Sequence, residues 1–440
     1  MANKRYLAQV TLEAATPLKV GSGESDFFTD MPIQKDVNNL PIILGTSIAG
    51  VLRDKFREIS KNEDDIFGFQ NNKTNKGQGS RLIISNVLLC DTDGSVVEEI
   101  GFESDFLKQY LTLPLREHTA ITDKGVAKKS SKFDEEVVFS GSRFKFELEF
   151  IADKDFSQEW QGLLSILKDE TFRLGAGATK GFGSFTNVKI SEKKLDLDKH
   201  EELELYINKS ASFNEQNFPW EEFTTTDDLP NQYIKYTLKI QPEDFFIFGS
   251  GVGDKESDMT PVYEKVVIWK DEKGEFSDQQ ILLPASSIKG AISHRVAFHY
   301  NKLQLEQQKE HTKVGEENDA VKAIFGQKKE RVDDKELGSK GKVLFSDCFK
   351  KDKKETKTFD HVSIDRFTGG AKDGALFQEK TIAQKDKWEI EILLENSIQG
   401  KELEAFESAL TDITTGMLPL GGTTTKGNGV FVGSWSKDAK

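Results

Sequence analysis

The chain is 440 residues long, which predicts two domains or three, and its 36% hydrophobic content is enough for ordinary globular cores. No apolar run approaches the roughly 18 residues of a membrane helix, and Met1–Arg5 leads into no apolar stretch, so neither a membrane span nor a signal peptide is expected. Two cysteines, Cys90 and Cys348, exclude a disulfide framework and a cysteine zinc site and predict a reducing cytoplasm. The net charge of −14 argues against a nucleic-acid partner only until its distribution is seen. Residues 191–230 hold 11 acidic and 4 basic residues, half of the excess, and read as an acidic linker with a solvated helix. The remainder can still carry basic grooves, so charge neither supports nor excludes RNA.

In chain order, Tyr6, Ala8, Val10 and Leu12 alternate as one face of a strand. Gly21-Ser22-Gly23 and Asp30-Met31 follow in a polar loop; Ile48, Val51, Leu52 and Phe56 then have helical spacing. Ile66-Phe67-Gly68 and a short strand from Leu82 to Ser85 come next. A polar stretch, Thr119 to Glu136, precedes a strongly alternating strand with Phe144, Phe146, Leu148 and Phe150. A helix, a Gly-rich loop from Gly175 to Gly183 and a closing strand complete the unit.

The same series then recurs. Ile234, Tyr236, Leu238, Ile240, Gly249-Ser250-Gly251 and Asp258-Met259 repeat their counterparts 228 positions later. Ser47-Ile48-Ala49-Gly50 returns as Ser287-Ile288-Lys289-Gly290 at 240, and Gly175–Gly183 as Gly421–Gly429 at 246. Ile324-Phe325-Gly326, His361 and Ala371-Lys372 fall between in the same order, with Trp388, Ile390, Ile392 and Leu394 as the second alternating strand. The drift in separation is read as growth by loop insertion. Two similar α+β domains are expected, residues 1–190 and 231–440, joined by the acidic linker 191–230. A ferredoxin-like βαββαβ core with insertions is the economical fold for each.

Three features could carry chemistry. The Gly-rich loops hold Lys180 and Lys426 among glycines, where backbone N–H groups can cradle phosphate; the alternative is a tight turn. A nucleotide-binding P-loop is disfavoured, because Gly rather than Ser or Thr follows each Lys. Ser47 and Ser287 stand at helix starts, favourable for phosphate or simply as caps, and Lys289 in a first turn opposes the helix dipole. Asp30 and Asp258, with Asp26, Asp254 and Glu256 nearby, are loop carboxylates able to hold a divalent metal or position a hydroxyl, though one such Asp alone is usually only solvated. Lys124, Lys128, Lys129 and Lys132, and in the second copy Ile364–Phe377, are expected on long hairpins that stack on bases or are mobile surface loops. The six histidines form no close ligand cluster; His118 and His361 are structural or acid/base groups.

Taken together these motifs resemble the RAMP superfamily, and within it the backbone subunits of type III CRISPR effectors of the Csm and Cmr kind. The carriers are Asp30-Met-Pro and Asp258-Met-Thr-Pro, the Ser-Ile-Lys-Gly helix start, Ile324-Phe-Gly, the stretch His361–Phe377 and both Gly-rich loops. The resemblance implies two tandem modified RRM-like (ferredoxin-like) domains with thumb hairpins, a guide CRISPR RNA, a complementary target RNA and other effector subunits as partners, and no membrane. It implies metal-dependent target cleavage (Mg or Mn) by Asp30 and Asp258, with Asp258 favoured because the second thumb keeps the fuller pattern. RNA contacts are implied at Ser47, Arg53, Lys128, Lys180, Ser287, Lys289, Arg366, Lys372 and Lys426, with guide contacts at the Ser-Ile-Lys-Gly region and the Gly-rich loops. The first copy departs at Ala49 and the second at Ser293, so the copies are expected to differ in RNA affinity. Two chains of the same family remain as alternatives: a purely structural backbone, and an endonuclease that processes precursor guide RNA through His118 or His361.

Overall fold

The computed structural model describes residues 2–25, 29–60, 62–71, 75–215, 217–224, 229–230, 232–305, 313–332 and 335–438, without the side chains of 329–337. Asp26 lies outside the described residues.

The first domain runs β1 (Lys4–Ala14), α1 (Gly45–Ile59), β2 (Leu82–Ile84), β3 (Arg143–Ala152), α2 (Ser157–Lys168) and β4 (Phe185–Asp196). The second repeats this order as β5 (Tyr233–Pro242), α3 (Ala285–Leu305), β6 (Val343–Phe345), β7 (Trp388–Glu395), α4 (Gly400–Thr414) and β8 (Phe431–Lys437). The strands pair antiparallel in the order β4-β1-β3-β2 and β8-β5-β7-β6. Each domain is therefore a ferredoxin-like βαββαβ unit, as expected. Short strands Ile42–Ile43 and Val87–Leu89 extend the first sheet.

The alternation in the sequence is what builds the cores. Tyr6, Ala8, Val10 and Leu12 sit opposite Phe150, Leu148, Phe146 and Phe144, and every one of them is buried. Ile234, Tyr236, Leu238 and Ile240 face Leu394, Ile392, Ile390 and Trp388 in the same register. A slip of one residue would turn each apolar face to solvent, so register and burial fix each other. Ile48, Leu52 and Phe56 of α1, and Ile288, Ile292 and Val296 of α3, close the cores from the helix side.

Two long arms leave the domains. Leu115–Ile121 pairs with Ala127–Glu136, and Thr356–Ile364 with Ala371–Ile382. They are the hairpins expected from the polar stretches. The acidic segment is tied to the first domain: β4 runs through Asp196, His200–Ile207 is a helix, Glu221–Glu222 returns to pair with β4, and Phe223 is buried in the first core.

The separation between copies does not grow throughout. It rises from 228 at Asp30 and Asp258 to 240 at Ser47 and Ser287, because the second domain inserts a hairpin, Val267–Lys270 with Lys273–Phe276. It falls from 261 at Leu82 and Val343 to 243 at His118 and His361, because the first domain has an insert of its own, including the helix Asp105–Lys108 and the turn Gln109–Leu111. The two inserts touch. Phe276 packs against Phe106, Tyr110 and Phe139 at centroid distances of 5.1, 5.4 and 4.9 Å, and Val267 belongs to the first domain's core.

Candidate functional site

Each expected catalytic Asp lies at the root of an arm. Asp30 Oδ2 accepts from the backbone N–H of Asp134 at 3.1 Å, and Asp134 Oδ1 accepts from the N–H of Asp30 at 2.8 Å. Asp258 Oδ2 accepts from the N–H of Gln378 at 2.7 Å, the position equivalent to Asp134. Both carboxylates are on exposed residues. The arm root thus sets a second carboxylate, Asp134, beside Asp30, where the second copy has Gln378 beside Asp258; Asp254 and Glu256 of the second loop pair with Lys380 at 3.2 and 3.9 Å. Mg²⁺ is usually held by one or two carboxylates, with waters and substrate phosphates completing its shell. The donor set of Asp30 and Asp134 fits that pattern. Among the described residues no group of three or more His, Cys, Asp or Glu forms a cage.

One residue further along each arm stands a carboxylate that sequence reasoning missed. Glu135 is buried in an ion pair with Lys19, and its Oε1 lies 2.6 Å from His118 Nε2 without hydrogen-bond alignment. Burial pushes the Glu135 carboxyl up, but the contacts and charges of His118 and Lys19 outweigh it and bring the group down to about 2. Glu379 is fully buried, accepts from Thr423 Oγ1 and Asn428 Nδ2 at 2.8 Å each, and lies 3.6 Å from His361 and 3.8 Å from Lys426. Both histidines stack on the cross-strand Phe: His118 on Phe133 at 5.1 Å and His361 on Phe377 at 4.8 Å. The signal available in the sequence was Phe-x-Glu, repeated at 133–135 and 377–379. These histidines brace the arm root.

The Gly-rich loops turn through short 3₁₀ segments, Ala178–Lys180 and Thr424–Lys426. Some of their glycines are required by the chain's own backbone, while Gly427 faces open space. A Cβ on Gly183 or Gly429, both at positive φ, would fall 2.1 or 2.0 Å from the carbonyl oxygen of Leu174 or Leu420. The lysines differ between copies. Lys426 is 4.4 Å over the Phe377 ring and shares Glu379. Lys180 is 5.3 Å over Phe133, but Lys19 already occupies Glu135.

Lys180 instead meets the second domain. Lys289 Nζ donates to Thr179 Oγ1 at 3.0 Å, and Gly181 rests against Ala285 and Asp347. Burial, and then the charge of Lys180, push the Lys289 ammonium down to about 8. Among the described residues no carboxylate makes an ion pair with Lys180 or Lys289. The site is thus a cation pair built from both domains without a counter-ion.

Ser47 and Ser287 are in the first helical turns and do not cap the helices, which corrects that reading. Asn86 Oδ1 accepts from Gly45 N at 3.2 Å, and Asp347 Oδ1 accepts from Ala285 N at 2.7 Å. Arg53 is engaged with Asp64 at 2.7 Å. Lys128 lies on the exposed first arm, 3.8 Å from Glu316. Arg366 and Lys372 are exposed on the second arm, beside Phe367, whose surface is 99% exposed. A groove of about 1060 Å³ runs between the first arm, from Leu115 to Gly125, and Ser287, Gly290, His294 and Thr424 of the second domain. It brings Ser287 and His118 together. Asp30, Asp258, Lys180 and Lys289 are not in its lining.

Among the described residues no helix is long and apolar enough to cross a membrane. The sequence model described as the RAMP superfamily matches residues 11–186 and again 247–432, so each match falls on one domain. No curated protein matches the chain.

Proposed function

The chain belongs to the RAMP superfamily, a family of CRISPR-associated RNA-binding modules, and on that premise we propose that it is a guide-RNA-binding backbone subunit of a type III effector that positions and cuts target RNA. The observation that supports this best is duplicated: a loop carboxylate, Asp30 or Asp258, is hydrogen-bonded to the same register of the returning arm strand in both domains. Guide RNA is held by its phosphates, chiefly at the uncompensated Lys180 and Lys289. The second arm carries Phe367 and Arg366 at its tip toward bases, where an aromatic ring can stack without reading sequence.

Cleavage needs the 2′-hydroxyl or a water brought into line with a phosphodiester. Asp30 and Asp258 supply the carboxylate at that point, and their backbone partners at Asp134 and Gln378 fix its direction. A divalent cation, Mg or Mn, held by Asp30 with Asp134, or by Asp258, supplies charge stabilisation of the phosphoryl oxygens. The test is the assembled complex with a matched, end-labelled target and added magnesium or manganese. Loss of one product with Asp30→Asn and of another with Asp258→Asn, guide binding intact, is the expected result. An unchanged ladder in the double variant would make the chain a structural backbone only. Products that persist in EDTA would point to processing of precursor guide RNA by His118 or His361.

A further inference from the structure

The two domains meet through parts that the repeat does not share. Among the described residues, the hairpin Val267–Phe276 has no counterpart in the first domain, and the helix Asp105–Lys108 with its following turn has none in the second. The hairpin lies in the cradle formed by Phe106, Tyr110 and Phe139, its Trp269 Nε1 donates to the Gly141 carbonyl at 2.8 Å, and Gly274 and Thr92 exchange hydrogen bonds. Beside this clasp, Arg116 of the first arm root is buried against two carboxylates of the second domain. Its Nη2 is 2.8 Å from Glu264 and its Nη1 is 2.5 Å from Asp347.

We propose that this junction is a private docking surface, which accepts this second domain and refuses other copies of the same fold, so that the chain is one fixed two-domain unit that does not extend itself head to tail. The outer faces carry the same backbone with different chemistry. Phe359 stands two residues before His361, where Arg116 stands before His118. Asn86 takes the capping place of Asp347 without its charge. A second copy docking there would set Phe359 against Asn86, with neither hairpin nor cradle. Second domain on second domain would bury Glu264 and Asp347 with no cation, which is strongly unfavourable. Attraction at the right junction and an unpaired charge at the wrong one together give specificity. This goes beyond the RNA reading and does not depend on it.

The experiment uses the full chain. In the wild type, the amides of the hairpin exchange hydrogen as slowly as those around Tyr110 and Phe139, and light scattering gives the mass of one chain at every concentration. Trp269→Ser with Phe276→Ser splits thermal unfolding into two transitions. Arg116→Phe, which copies the outer face and leaves Glu264 and Asp347 without their cation, speeds exchange at the hairpin at least tenfold and leaves β3 unchanged. Hairpin amides that exchange like an open loop would overturn the proposal. So would head-to-tail oligomers of the wild type cross-linked near Phe359 and Asn86, or a clasp variant that keeps a single transition. If the clasp variant does not fold, the wild-type exchange pattern and Arg116→Phe decide.

Discussion

Lys289 of the second domain donates a hydrogen bond to Thr179 of the first at 3.0 Å, and beside it stands Lys180. Two ammonium groups therefore share a half-buried junction, and no ion pair reaches either among the described residues. In the other Gly-rich loop the equivalent Lys426 has Glu379 at 3.8 Å, and in the other helix start Ala49 replaces Lys289. The duplication made two sets of backbone, but only one is an open cation pair.

RNA binding should concentrate there. Lys180→Ala and Lys289→Ala are each expected to weaken binding of a single-stranded guide RNA about tenfold, the worth of a charge-assisted contact, and Lys426→Ala much less. The losses shrink as salt rises, because phosphate contacts release counter-ions. Filter binding over a salt series checks this; equal losses for all three variants would contradict it.

The same site predicts a pH dependence. The folded Lys289 group is depressed to about 8. Above that pH the folded protein holds fewer protons than the unfolded chain, so stability rises between about 8 and the ordinary Lys value. A bound phosphate favours the charged form, so RNA affinity falls over that window. Urea unfolding and RNA titration calorimetry, each on either side of pH 8, give the two signs, and Lys289→Ala removes both changes.

Glu135 works the opposite way. Its folded carboxyl lies at about 2, below the ordinary Glu value. Its contribution is full above that ordinary value and is lost as pH falls through the folded one. Glu135→Ala leaves Lys19 buried without its partner, and a cost of about 3–5 kcal/mol is expected in urea unfolding. A change under about 1 kcal/mol would show that Lys19 finds another partner.

Cleavage should separate from binding. Asp258→Asn and Asp30→Asn are each expected to slow one cut by about a hundredfold or more, the usual weight of a positioned acid/base or metal-holding group. Guide affinity should stay within about twofold, because neither carboxylate makes an ion pair with Lys180 or Lys289 among the described residues and neither adds positive charge for phosphate. Quantified gel assays of both products make the comparison, and a parallel loss of binding would assign these residues to RNA contact instead.

Phe367 tests the arm. It is almost fully exposed, so Phe367→Ala should leave the melting temperature unchanged. Affinity for single-stranded RNA should fall about tenfold, the worth of one stacked base. Unchanged affinity would leave the tip without a role in base contact.

Sequence alone determined the domain pair and each fold. Period-two runs such as Tyr6–Leu12 and Phe144–Phe150 allow only one burial face, so strand assignment and register follow from local pattern. The Asp loops, the Gly-rich turns and the arms were likewise legible, because each needs residue types that recur at matched places. What tertiary structure decided was which groups neutralise one another. Glu135 and Glu379 look like ordinary arm residues until Lys19, His118, Thr423 and Asn428 close on them. Lys180 and Lys426 have the same local sequence setting, yet among the described residues a carboxylate reaches only Lys426. The caps at Asn86 and Asp347, and Arg116 between Glu264 and Asp347, join residues far apart in the chain. Charge pairing acts over a few ångströms in space, and sequence separation carries no trace of it; hydrophobic periodicity acts along the chain and is written there directly.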